Sequence, residues 1–251
     1  DPLIFPGITS ERLVPTDYAN IQDALDDACE GDTVLVAPGV WFGQVTVPDH
    51  VELAGFGPEQ TTLDGGGLGP VIHLQGSGAV RDIAITSGFS THGGCIRVDG
   101  PATEVTLSRL VVDYCGATEG DGGGGLYAVD STLTIEDTTF DNNVGSRGGG
   151  VRLVMSDATL RGVIFTGNTG TTIGGGASIT TTTFILEDSR FEGNGAVTAP
   201  ALSITASNGS IDGLVAMDNF GTQGGAIRLD SGSYDVTGLD VQRNTIDFGP
   251  S

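Results

Sequence analysis

The segment GGGVRLVMSDATLRGVIFTGNTGTTIGGGASITTTTFILEDSRFEGNGAVTAP, residues 148–200, contains one unit written twice. Each copy opens on a glycine cluster, runs through short apolar stretches and reaches a Phe-x-x-Asn, Phe165 to Asn168 and then Phe191 to Asn194. Apolar residues alternate, as in Val151-x-Leu153 and Ala158-x-Leu160, with no 3.6-residue pattern. Alternation over so few residues, with Gly, Asn, Ser and Asp between, reads as short strands joined by tight turns.

The unit extends in both directions. Corner segments begin at Gly69, Gly93, Gly123, Gly148, Gly174, Ala199 and Gly224, and Asn143, Asn168, Asn194, Asn219 and Asn244 follow at spacings of 25, 26, 25 and 25. A 25-residue unit of three short strands and three turns describes one coil of a parallel β-helix. The expected fold is therefore all-β: a single-stranded parallel β-helix, three strands per coil, about 35–45 Å long at roughly 4.8 Å per coil. Equal positions then stack. The asparagines form an internal ladder, the phenylalanines a core column, and the glycines tight corners with positive φ.

The chain reads as one domain, 1–251, with coils over 32–251 and regular repeats from about residue 69. Its first 31 residues differ. In TDYANIQDALDDACEG, Thr16 or Asp17 is a candidate N-cap, Tyr18, Ile21, Leu25 and Ala28 share a helical face, and Gly31 suits the position past the end. Cys29 is expected to be buried with this helix, which would cap the exposed strand edges of the first coil. At the C-terminus no comparable cap is written; either the last loop folds over the end or the natural chain continues.

Composition excludes several classes. The net charge is −22, with 32 Asp plus Glu, 10 Arg and no Lys, a balance that repels nucleic acid. No apolar run is long enough to span a bilayer. No signal peptide is present, and a secreted or cell-surface protein whose signal peptide has been removed is expected.

Two resemblances sharpen the fold. GGCI, GGGL, GGGV, GGGA and GGAI, with FDNN, FTGN and FEGN, resemble the polymorphic outer-membrane protein repeat known from chlamydial surface adhesins. That resemblance covers about residues 93–251 and implies a right-handed β-helix on a secreted or surface protein. It departs at Ala199-Pro200 and in the last two copies, where Ala216 and Val241 replace Phe. Residues 16–66 are similar to the opening of pectin methylesterases and other pectin-lyase-like proteins, but the catalytic motifs of pectin methylesterases and polygalacturonases are missing.

Aligned units place His73, Arg97, Tyr127 and Arg152 in one outward column, followed by Ser178, Ser203 and Arg228. The expectation is a positive patch with a stacking ring, able to hold a carboxylate or sulfate of a glycan. Glu119 and Asp121, in a five-residue loop excess, are candidates for a Ca²⁺ site; otherwise no cofactor is implied. Cys95 and Cys115 fall at the start and end of one coil, where a disulfide is plausible. No histidine is placed to activate a cysteine nucleophile. The preferred reading is a non-catalytic protein for adhesion or glycan binding, with a carbohydrate or host-surface partner. The alternatives are a polysaccharide lyase or hydrolase of the pectin-lyase-like class, and a structural spacer in a larger surface protein.

Overall fold

A computed structural model describes residues 10–118 and 120–247. The chain winds as a right-handed parallel β-helix of about 9 turns. Its strands form three parallel sheets of 16, 9 and 7 strands, the last of which begins at Phe89. The first sheet is larger because most coils cross it twice. In the coil after Gly150 it receives Val151–Val154 and then Asp157–Arg161; Ile164–Thr166 enters the second sheet and Thr169–Ile173 the third. A regular coil thus holds four short strands, where three were expected.

The extra strand arises from an extra corner. Met155, Gly162, Gly167 and Gly174 all have φ between +49° and +67°, and each starts a change of direction. The corner at Met155 recurs as Asp130, Thr181, Ala206 and Ser231, none of them glycine. Their left-handed conformation creates a crease inside the first sheet. Just after it lie Ser131, Ser156, Thr182 and Ser207, all buried. Each hydroxyl donates to the carbonyl two residues back, and those of Ser156 and Ser207 accept the N–H of Ser131 and Thr182. This second ladder satisfies backbone groups that the sharp turn removes from the sheet.

The asparagine ladder occupies the corner between the second and third sheets. Oδ1 of Asn168 accepts the N–H and the Nδ2 of Asn143, each at 3.0 Å, and Nδ2 of Asn168 donates to the Phe140 carbonyl at 2.9 Å. Asn194, Asn219 and Asn244 repeat the pattern, while Cys115 begins it by donating its N–H to Asn143. Beside the ladder, Phe140, Phe165 and Phe191 stack with centroids 5.4 and 4.4 Å apart. Each ring is fully buried, worth roughly 1.5–3 kcal/mol of apolar burial. Glycine is required opposite: a Cβ on Gly149 would lie 2.5 Å from the Gly175 carbonyl oxygen.

At the N-terminus the helix is shorter and later than the sequence suggests. It spans Ile21–Asp26, buries Ile21, Ala24 and Leu25, and is capped by Asn20, whose side chain accepts the Asp23 N–H at 2.9 Å. Thr16 and Asp17 cannot cap it, because Asp17 closes a turn with Leu13 through N–H···O at 2.7 Å. Cys29 lies beyond the helix and is exposed. Gln22 ties the helix to the strand at Thr46.

Candidate functional site

Strand register places His73, Arg97, Tyr127, Arg152, Ser178, Ser203 and Arg228 side by side on successive coils. The expected positive patch is not formed, because acids reached across coils neutralise it. His73 Nε2 is 2.6 Å from Asp99 Oδ1, and Arg97 Nε donates to Asp99 Oδ2 at 2.7 Å. Burial alone would lift the Asp99 carboxyl, but the bonds from His73 and Arg97 hold it below the ordinary carboxylate range. Arg152 is only 2% exposed and donates to Asp121 from Nε and Nη2 at 3.2 and 3.0 Å. Burial lowers its affinity for the proton, and Asp121 opposes that trend.

Tyr127 sits between Arg97 and Arg152, its phenol raised first by burial and then by Asp121. Its ring is 5.1 Å from that of His92 at 52°. His92 is not a member of the repeated column, yet the sequence marks its place. It immediately precedes the glycine corner at Gly93, as Arg147 and Ile173 precede Gly148 and Gly174. The corner folds those residues back over the outward column. Arg147 and Ile173 line the wall of a groove of about 570 Å³, whose floor is Ser178, Thr180, Ser203 and Thr205. Arg152 Nη1 donates to Thr180 Oγ1 at 2.7 Å and to Ser178 Oγ at 3.4 Å, fixing that floor. Arg147 lines the groove half-exposed, with a 3.7 Å contact to Asp121.

Asp121 is therefore committed to two guanidinium groups. Glu119, its expected companion in a Ca²⁺ site, lies outside the described residues. Among the described residues no group of three His, Cys, Asp or Glu is arranged to hold a metal. Cys95 and Cys115 are joined in a disulfide beneath this region.

One acid behaves differently. On the second sheet Asp113 pairs in register with Thr86 and Asp141, and burial, reinforced by Asp141 and Asp64, pushes its carboxyl up. Its Oδ1 is buried without a hydrogen-bond partner. Its carboxyl therefore ionises less readily than an ordinary aspartate and has the Asp141 carboxyl beside it, an arrangement of the kind used in general acid catalysis.

No family model matches the chain, and no curated protein matches it in sequence. Solved structures do share the fold. The full-length tailspike protein 2 of Escherichia coli O157:H7 bacteriophage CAB120 is similar over 88% of this chain, at TM-score 0.58 and 12% identity; the chain spans 36% of that protein's length. A pectin methylesterase from Yersinia enterocolitica is similar over 91% of this chain and 94% of its own, at TM-score 0.50 and 10% identity. At such identities the likeness is one of fold alone. Among the described residues no helix is long and apolar enough to cross a membrane.

Proposed function

We propose that this protein is a secreted or surface-displayed β-helix that binds an acidic polysaccharide without cleaving it. The observation that carries the reading is the groove beside Arg152. Its hydroxyl floor repeats from coil to coil, as the units of a polysaccharide do, and Arg147 stands in it half-exposed, with only a 3.7 Å contact to Asp121, which Arg152 engages more closely. Ser and Thr hydroxyls suit sugar hydroxyls, and an exposed guanidinium suits a uronate carboxylate. His73, Arg97 and Tyr127 continue the column N-terminally. With Asp99 engaged, they orient a chain more than they attract it. A surface or secreted location is supported by the Gly-Gly-x-Ile and Phe-x-x-Asn repeat, similar to surface adhesins, and by the tailspike's fold.

Incubation with polyuronates and neutral glycans, with and without Ca²⁺, tests this reading. Retention of a polyuronate, weakened by salt and roughly 10-fold by Arg147→Ala, is expected, with no cleavage products. The absence of retention would favour a structural spacer. Release of oligosaccharides would favour the enzyme alternative, for which Asp113 is the specific observation; Asp113→Asn would then abolish the release.

A further inference from the structure

The crease within the first sheet forms a second, separate track. Two cavities lie along it, of about 540 and 530 Å³. The first is lined by Asp130, Thr132, Asp157, Thr183 and Asn208, the second by His50, Ser77 and Glu104 among others. Register joins them. Glu104 pairs with Thr132, Thr132 with Asp157, Asp157 with Thr183 and Thr183 with Asn208. On the other side, the Glu104 N–H donates to Ser77 Oγ at 3.0 Å, and the His50 N–H to the Ser77 carbonyl at 2.6 Å. The two cavities are thus one furrow along the rod.

We propose that this furrow binds an extended, uncharged polysaccharide. Its character is opposite to that of the Arg147 groove. The lining contains Glu30, Glu52, Glu104, Asp130 and Asp157, and its one basic side chain is His50, so a polyuronate is repelled. Sugar hydroxyls can donate to these carboxylates in charge-assisted bonds, and Thr132, Thr183 and Asn208 both donate and accept. At the bottom the Ser131, Ser156 and Thr182 hydroxyls already donate to backbone carbonyls, so their protons are not offered to a ligand. Polar side chains return once per coil at about 4.8 Å, close to the length of one sugar unit in a drawn-out chain. A strand of peptide would find no free edge here, since the furrow crosses paired strands at right angles to them. The ligand that matches a track repeated by translation is itself a repeating polymer.

Titration calorimetry with linear β-glucan oligosaccharides tests the furrow independently of the Arg147 groove. Binding is expected to tighten by at least about 10-fold from a trisaccharide to a hexasaccharide, as more coils are engaged. Thr183→Arg, exposed at the centre of the track, should weaken the hexasaccharide about 10-fold or more, and Arg147→Ala should leave it unchanged. Asp157→Ala with Asn208→Ala gives a second variant should Thr183→Arg fold poorly. Absence of glucan binding in the wild type overturns the proposal. So does equal binding by both furrow variants, or loss of glucan binding in Arg147→Ala.

Discussion

Two aspartates with opposite environments show how single residues set the acid response of this fold. Asp32 is buried, which would raise its carboxyl. The N–H groups of Ser10 and Cys29, the Ser10 hydroxyl and Arg12 outweigh burial and bring it down to about 2. Its folded value lies below the unfolded one, so its stabilisation is present above about pH 4 and disappears as pH falls towards 2. Asp32→Asn should cost about 2 kcal/mol at pH 7 and almost nothing near pH 2, as read from thermal midpoints across pH. Asp113 has the reverse sign. Its folded value is raised, so its favourable contribution is complete below the unfolded value and is lost as pH rises through the folded one. Asp113→Asn should raise the midpoint at pH 7 and leave it unchanged near pH 3. A lower midpoint at pH 7 would mean that the ionised carboxylate has an unseen partner.

At the scale of the element, the corners carry the specificity. Asn168 fills a fully buried position and takes part in hydrogen bonds to two neighbouring coils. Asn168→Ala leaves buried donors and acceptors unpaired, and a loss of about 1–3 kcal/mol is expected by denaturant unfolding. Gly149→Ala should cost a similar amount, about 1–3 kcal/mol, through overpacking against the Gly175 carbonyl. These corners were legible in the sequence because each recurs as the same residue type every 25 or 26 positions. The crease was not, because Asp130, Met155, Thr181 and Ala206 share a left-handed backbone but no chemistry. The helix start was misread for a related reason. Asp17 has the chemistry of a cap but is consumed by the turn at Leu13. The outward column was legible as a register, while its neutralisation was not. The carboxylate of Asp121 meets Arg152 from 31 residues away, across a loop whose path no periodicity describes.

On the scale of the whole molecule, a solenoid is stabilised by contacts between neighbouring coils, and its ends have neighbours on one side only. The last described coil, residues 227–246, displays this. Leu229, Val236, Leu239 and Val241 are all more than a third exposed, whereas the equivalent Ile204, Ile211, Leu214 and Ala216 one coil earlier are buried. Hydrogen exchange should therefore be slowest in the coils around Phe140, Phe165 and Phe191 and fastest in strands 227–246. Uniform protection along the rod would show that the final coil is covered in solution.

The asparagine ladder also gives the rod a direction. Backbone N–H groups fix every Oδ1 towards the N-terminal neighbour, so every Nδ2 that links the ladder points the other way. Sheet hydrogen bonds alternate in sense and largely cancel, but these amide dipoles add head to tail through the interior. The column begins with an oxygen, on Asn143, and ends with amide hydrogens, on Asn244. Its two ends are therefore not interchangeable. A further coil can join in register beyond Asn244 only by bringing an acceptor, so the interior polarity selects which surfaces can lengthen the rod.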